Sequence, residues 1–248
     1  MSSIVWRVRH FGEIDSTNTY VKDVAGDESE GLVALADYQR AGRGRLAREW
    51  FSPPRASLLC SILLRTGRGE GQVHLAVACV ALATRTALER LSGLRAQLKW
   101  PNDLMVGERK LAGVLAEVVA DGADLAVVVG LGVNLTHEGP EGEATSVRAE
   151  TGLTIAPRAL LDIVLEELEP RRERLDTPAG CAVLRQEYAG ALATLGQTVH
   201  VELIDGAVVG RAVDVDDTGR LILDVAGEAR AIEVGDVVHL RRRESDAV

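Results

Sequence analysis

Chemistry is concentrated in two short stretches of the chain. In Lys99-Trp-Pro-Asn-Asp103, Asn102 and Asp103 put adjacent oxygen donors where an apolar run ends, a donor type that suits a hard cation such as Mg²⁺. Lys110 heads the next apolar run, and Gly113 just beyond it would let a ligand or another backbone come close. A solvated surface hairpin would use the same residues, so both readings stay open at this level. The second stretch carries Arg40, Arg43, Arg45 and Arg48 with no acid among them and with Gly42 and Gly44 in between. Guanidinium groups can bind phosphate oxygens in pairs, and glycines let the backbone wrap a ligand. In a chain of net charge −9 this cluster points to an anionic ligand. Trp50 and Phe51 follow it, either as apolar cover for a flat ring or as core.

Two more polar sets could reach a ligand. Asp15-Ser-Thr-Asn18 is a run of helix-capping residues. A helix start turns N–H groups and short hydroxyls outward, toward a polar ligand group or merely as a cap. Gly130-Leu-Gly-Val-Asn134 ends an apolar run, and Asn134 either supports a site or caps a strand. There is no G-x-x-x-x-G-K-[ST], and Gly130-Leu-Gly132 lacks the third glycine of a dinucleotide fingerprint. Nucleotide binding therefore requires another architecture. The five histidines form no H-E-x-x-H, and G-x-S-x-G is absent, which leaves metal-hydrolase and serine-esterase chemistry without support.

The elements that must position these residues follow from periodicity. Ile4 to Ile14 alternates and predicts an opening strand, and a helix follows through Tyr20, Val21 and Val24. Gly31–Tyr38 and Ser57–Arg65 predict buried strands, and Gln72–Leu91, rich in Ala and Leu, predicts a long buried helix. Lys99–Glu117 reads as strand, turn, strand, and Ala123–Val129 as an apolar strand feeding the glycine-rich segment. Thr136–Glu143 reads as a polar loop. Pro157–Leu175 has helical spacing, with Pro170 expected to kink or end it. A last helix over Cys181–Leu195 is expected to finish at Gly196 as its C-cap. Beyond Gly196, short alternating runs separated by Asp-Gly and Asp-Asp-Thr-Gly turns predict a small all-β barrel.

Lys99-Trp-Pro-Asn-Asp103 with Lys110-Leu-Ala-Gly113-Val-Leu-Ala-Glu117 resembles the signature of biotin–protein ligases. Asp15-Ser-Thr-Asn18, Gln39-Arg-Ala-Gly-Arg-Gly-Arg45 and Gly130-Leu-Gly-Val-Asn134 match three further motifs of that family in order, from about Ile4 to the C-terminus. The resemblance implies an α+β fold, a mixed β-sheet with packed helices of the class II aminoacyl-tRNA synthetase and biotin ligase type. Residues 1–195 would form the biotin- and ATP-binding ligase domain and 196–248 an SH3-like domain. It implies activation of biotin as biotinyl-5′-AMP and transfer to a lysine of a biotin carboxyl carrier domain, with Mg²⁺ as cofactor. Ser16, Thr17 and Asn18 would meet the ureido ring, and Gln39 and Gly42 would line the pocket. Lys110 would bridge the biotin carboxylate and the α-phosphate, and Arg43 and Arg45, with Arg48 beside them, would clamp phosphate. Asp103 would hold the metal, and Gly44, Trp50, Gly113, Leu115 and Asn134 would complete the ligand contacts. The family has a glycine where Ala47 stands, which puts the loop geometry around Arg48 in question. A lipoate or octanoyl ligase or transferase of related fold is the alternative, and it lacks this combination of motifs.

Composition sets outer bounds. At 248 residues, 46% hydrophobic and 26% charged, the chain is an ordinary globular protein, and its 28 basic against 37 acidic residues argue against general nucleic-acid binding. Only fourteen residues precede Asp15, fewer than a helix-turn-helix module needs, so no DNA partner is expected. Cys60, Cys79 and Cys181 are far apart in apolar runs and read as buried thiols of a reducing cytoplasm. No signal-peptide core and no apolar run of membrane-spanning length occurs. A homodimer is left open.

Overall fold

The structure is a computed structural model that describes residues 4–45, 48–66, 72–121, 124–138, 142–203, 206–233 and 236–239. Strand β1 (Arg7–Phe11) pairs in parallel with β2 (Leu32–Ala36), whose five residues are all buried. Between them lies helix α1 (Thr17–Val24), capped by Ser16, whose side chain accepts the Thr19 N–H. Such a cap is worth about 1 kcal/mol because it satisfies an otherwise free donor of the first turn. β3 (Ser57–Thr66) precedes the long helix α2 (Gln72–Ser92). Strands β4 (Gln97–Lys99), β5 (Asp103–Val106), β6 (Arg109–Asp121) and β7 (Asp124–Asn134) complete the sheet. Its order is β1-β2-β3-β7-β6-β5-β4, antiparallel everywhere except β1–β2. The stretch expected as strand, turn, strand thus holds a third short strand, β5. It is too brief for alternation to reveal it.

The period of two along each strand sorts the sheet into two faces. Val33, Leu35, Ile62, Leu64, Val127 and Val129 share an apolar cluster with α2. Their neighbours Leu32, Ala34, Leu63, Ala126 and Val128 pack instead with Val21 and Ala25 on the side of α1. Following that second face along the strands leads to Ser61, Gly130 and Gly132. The bulky side chains give way to small ones there, and a trench opens beside α1.

The polar segment after β7 carries an unexpected short helix, α3 (Val147–Thr151), capped by Ser146 and stopped by Gly152 at φ 74°. Helix α4 (Pro157–Arg174) runs through Pro170 and does not end there. Packing outweighs the missing hydrogen bond: Leu160, Leu161, Val164, Leu165 and Leu168 are buried. Arg172, beyond the proline, is held by Glu30 at 3.0 Å and Asp176 at 2.5 Å. Helix α5 (Pro178–Ala191) starts behind the Thr177 cap and ends at Leu192, not at Gly196. The chain leaves the helix early because it joins the edge of β4, with Ala193 N–H donating to the Leu98 carbonyl at 2.8 Å.

Strands β8 (Thr198–Leu203), β9 (Gly206–Val215), β10 (Leu221–Val225), β11 (Glu228–Ile232) and β12 (Asp236–His239) form a second, antiparallel sheet in the order β11-β10-β9-β8-β12. Among the described residues no pairing joins β11 to β12, so the expected barrel is seen as a five-stranded sheet. Its buried residues Val199, Val201, Ala212, Leu221 and Leu223 belong to the same apolar cluster as Leu98 and Trp100. Of the cysteines, Cys60 and Cys79 are buried as expected, whereas Cys181 is partly exposed.

Candidate active site

The trench is a cavity of about 150 Å³ lined by residues from three of the sequence motifs and by Gly130 and Gly132 of the fourth. At one end stand Ser16, Thr17 and Asn18, all nearly inaccessible. Gln39 Oε1 accepts from the Thr17 N–H at 2.7 Å and from its hydroxyl at 3.0 Å. Ser61 Oγ lies 2.7 Å from Thr17 Oγ1 and 2.5 Å from Asn18 Oδ1. The Asn18 amide donates to Glu117 Oε2 at 3.0 Å and to the Leu115 carbonyl at 3.4 Å. Asn18 fits because Gly130 has no side chain: a Cβ there would collide with its amide. This is a buried array of both donors and acceptors, suited to a small polar ring that offers both.

Glu117 is the hub of this end. It accepts from Lys22 Nζ at 2.8 Å and from Arg43 at 2.6 Å. Burial pushes its carboxyl pKa up, but the Lys22 ammonium, the Asn18 amide and the Arg43 guanidinium together hold it below the ordinary carboxylate range. Cys60 also lines the cavity, where burial raises its thiol to about 12, so it is no nucleophile at neutral pH.

Lys110 marks the other end. Its Nζ lies 2.6 Å from Asp103 Oδ1 and 5.7 Å from the centre of the Trp50 ring. Register explains the meeting: Asp103 sits opposite Gly113, and the β5–β6 ladder shifts between Leu104 and Met105, so Met105 faces Lys110. Bulges of this kind re-aim a side chain. A Cβ on Gly113 would stand 3.2 Å from both Lys110 Cε and the Trp50 ring, so this glycine makes room for the two together. The Lys110 backbone is fixed from outside the hairpin, its N–H on the Glu143 carbonyl and its carbonyl on the Thr145 N–H.

Arg43, Gly44, Arg45 and Arg48 of the arginine-bearing loop line the cavity. The Arg43 and Glu49 backbones form an isolated antiparallel β-bridge, the Gly44 N–H reaches the Arg48 carbonyl at 2.7 Å, and the Trp50 N–H reaches the Gly42 carbonyl at 2.9 Å. Arg45 touches Asn102 Oδ1 at 3.4 Å. Ala47, whose departure from the family pattern was noted, lies outside the described residues.

The expected residues other than Gly42 and Asn134 line this cavity together. Gly42 does not line the cavity; it lies under the Trp50 carbonyl, where any Cβ would clash. Asn134 is 5% exposed and lines an adjoining hollow of about 540 Å³ that shares Arg48, Trp50 and Lys110. Its amide donates to the Thr145 carbonyl at 3.1 Å. Asn102 lines the cavity, its amide nitrogen donating to the Val114 carbonyl at 2.8 Å, and Asp103 beside it supplies the carboxylate. Sequence reasoning missed Ser61, Lys22, Gly130, Gly132 and the hub role of Glu117. The glycines had a readable signal: two of them spaced by two in an apolar strand must open one face. A Cβ on Gly132 would stand 2.6 Å from the Trp50 ring, so Trp50 lies flat against the strand. Its Nε1 is buried and hydrogen-bonds to nothing among the described residues.

A buried polar nook, a lysine and several arginines thus share one sheet face, an arrangement suited to a ligand with a small polar group at one end and negative charge at the other. Residues 11–134 match the model of the biotin/lipoate A/B protein ligase family, and residues 194–240 match the biotin protein ligase C terminal domain. The biotin–[acetyl-CoA-carboxylase] ligase of Mycobacterium tuberculosis is 37% identical over 238 residues, covering 91% of this chain and 86% of that protein. The bifunctional ligase/repressor BirA of Escherichia coli is 30% identical over 219 residues, covering 86% and 68%. The biotin protein ligase of Aquifex aeolicus, solved in complex with biotin and ATP, superposes with a TM-score of 0.80 at 27% identity, covering 95% of this chain and 99% of that one. The chain belongs to the biotin/lipoate A/B protein ligase family and, within it, to the biotin protein ligases.

Proposed function

We propose that this ligase activates biotin with ATP and passes it to one lysine of a biotin carboxyl carrier domain, such as that of acetyl-CoA carboxylase, in the manner of EC 6.3.4.15. The observation that carries the reading is the pairing of a buried donor–acceptor nook with Lys110 at opposite ends of one cavity. The nook suits a ureido ring. In the first step a biotin carboxylate oxygen attacks the α-phosphorus of ATP, the α–β bridge bond breaks, and pyrophosphate leaves with its electron pair. In the second, the carrier lysine amine attacks the acyl carbon of biotinyl-5′-AMP, loses a proton, and AMP leaves. Both steps gather anions, so charge neutralisation and positioning supply most of the acceleration. Lys110 stands where the carboxylate and α-phosphate must meet, with Arg43 and Arg45 as phosphate partners. Trp50 separates the biotin cavity from the adjoining hollow, which is the place for adenine, near Asn134. Both buried cysteines lack an activated thiolate, in keeping with a reaction that needs no covalent enzyme intermediate.

Among the described residues no three His, Cys, Asp or Glu side chains stand together as a metal cage. Asp103 alone fits a magnesium ion whose other ligands are phosphate oxygens, and such an ion would offset triphosphate charge. Residues 1–195 are taken as the ligase domain and 196–248 as its accessory, in a cytoplasmic enzyme. No helix among the described residues is long and apolar enough to cross a membrane. The lipoate or octanoyl alternative is set aside because the relatives described above are biotin ligases and the C-terminal match is to biotin ligases. The test is incubation with biotin, ATP and Mg²⁺ and a carrier domain, followed by intact mass. One biotinyl addition to the carrier is expected. An unmodified carrier alongside a lipoylated or octanoylated control would overturn the reading.

A further inference from the structure

Among the described residues, the turn between β9 and β10 of the C-terminal sheet reaches Trp100, beside the Lys110 end of the cavity. Asp216 organises it: Oδ1 accepts the Thr218 N–H at 2.9 Å and the Arg220 N–H at 3.0 Å, and Oδ2 meets Arg220 Nε at 2.7 Å. At its tip the Gly219 carbonyl accepts the Trp100 indole N–H at 3.1 Å. Trp100 is 1% exposed and immediately precedes Pro101, Asn102 and Asp103. Its main-chain N–H donates to Thr194 Oγ1 at 3.0 Å, and the Pro101 carbonyl accepts the Tyr188 hydroxyl at 3.1 Å. Asp103, at the end of this held segment, is the partner of Lys110. Gly219 tolerates no substitute: its φ is +82°, and a Cβ there would stand 2.7 Å from the Cβ of His74.

The same corner lies within electrostatic reach of Arg45. Burial lowers the His74 pKa, with Glu233 opposing, Arg45 adding, Asp216 opposing and Arg220 adding to the effect. Burial raises the Tyr188 hydroxyl pKa, with Asp103 reinforcing and Arg45 opposing. Among the described residues, the other end of the cavity has no such tie. The partners that Thr17 and Asn18 use there, Gln39, Ser61, Leu115 and Glu117, all come from outside the C-terminal sheet.

Resting on the adenylation reading, we infer that the Asp216–Arg220 turn is a positioning device for nucleotide activation, acting through Trp100. It sets where Asn102 and Asp103, and so the Lys110 amine, stand relative to the ATP phosphates. It leaves recognition of biotin to the nook around α1. Trp100, Gly219 and Asp216 are therefore positioning residues, not catalytic ones.

Trp100→Phe removes the indole donor and keeps a ring in place, Gly219→Ala pushes the turn off His74, and Arg220→Ala removes the Arg220–Asp216 contact that braces the turn. In biotin-dependent ATP–pyrophosphate exchange, the first two should raise KM for ATP about tenfold or more and lower kcat, with Arg220→Ala showing the same pattern more weakly. Biotin affinity by titration calorimetry should stay within about twofold of the parent chain, and ATP affinity should fall. Loss of biotin and ATP affinity in parallel would overturn the inference, as would unchanged ATP parameters in folded Trp100→Phe and Gly219→Ala proteins. Should a core variant fail to fold, Arg220→Ala decides by the same criteria. The titrations need no turnover. An unmutated chain that makes no biotinyl-AMP sinks the adenylation reading, and the ATP-against-biotin asymmetry is still read from binding.

Discussion

At the scale of single residues, Lys110 and Glu117 anchor opposite ends of the cavity. Lys110 is the side chain aimed by the β-bulge, cleared by Gly113 and met by Asp103. Lys110→Ala should cut biotinyl-AMP formation by two or more orders of magnitude, since a preorganised charge at a developing anion is worth about 3 kcal/mol or more. Near-normal pyrophosphate release by that variant would remove Lys110 from the chemistry. Glu117 makes a prediction about pH. Its folded pKa is depressed, so it stabilises the chain above the ordinary glutamate pKa, and that stabilisation is lost as pH falls through the depressed value. Thermal midpoints of Glu117→Gln and the parent chain should differ at pH 7 and converge in acid, below about pH 4. A gap that stays constant from pH 7 to pH 3 would show that the ionised carboxylate is not what stabilises. Lys110 and Asp103 were legible as chemistry from type and spacing. Glu117 was visible only as the last letter of a motif. Its three partners, Lys22, Asn18 and Arg43, come from distant segments that no local pattern links to it.

At the scale of elements, continuous apolar runs revealed the long strands β3, β6 and β7, and the alanine-rich run revealed α2, because each buries enough apolar residues to stand out from its surroundings. The misses have physical causes. β5 is four residues long, α5 stops early because its exit segment pairs with β4, and α4 outlasts Pro170 because its buried leucines hold it. The arginine-bearing loop is the element with most at stake. Charge repulsion among Arg40, Arg43, Arg45 and Arg48 argues for opening, yet the structure gives the loop a backbone of its own hydrogen bonds. It also gives charge partners, among them Asp15 at 2.7 Å and Glu13 at 3.3 Å for Arg40 and Glu117 at 2.6 Å for Arg43. The closed form is thus within reach before substrate arrives, and a phosphate anion should tip the balance further. Trypsin should cut after Arg43, Arg45 and Arg48 in the free chain and several-fold more slowly with biotin and ATP. Equal rates with and without substrates would take away the support for a phosphate clamp.

At the scale of the molecule, the change of pattern at Gly196 marks a real change of sheet. What the pattern concealed is how closely the two sheets are joined. The Trp100–Gly219 hydrogen bond spans 119 positions, and such a tie leaves no trace in periodicity or composition. The apolar cluster is shared as well, since Val199, Val201, Ala212, Leu221 and Leu223 bury against the same group as Leu98 and Trp100. A self-sufficient ligase domain would be expected to lose only its accessory on truncation. A shared core predicts more. Ending the chain at Leu195 uncovers apolar surface at about 25 cal/mol per Å² and strands the buried Trp100 N–H without its acceptor. Several kcal/mol lost in this way should lower the thermal midpoint on the order of 10 °C. The whole chain should melt in a single calorimetric transition, because neither sheet keeps a complete core without the other. Two resolved transitions in the whole chain, with the upper one unchanged after truncation, would mean that the sheets fold independently. The tie at Trp100 would then be a contact between finished units and not part of their common core.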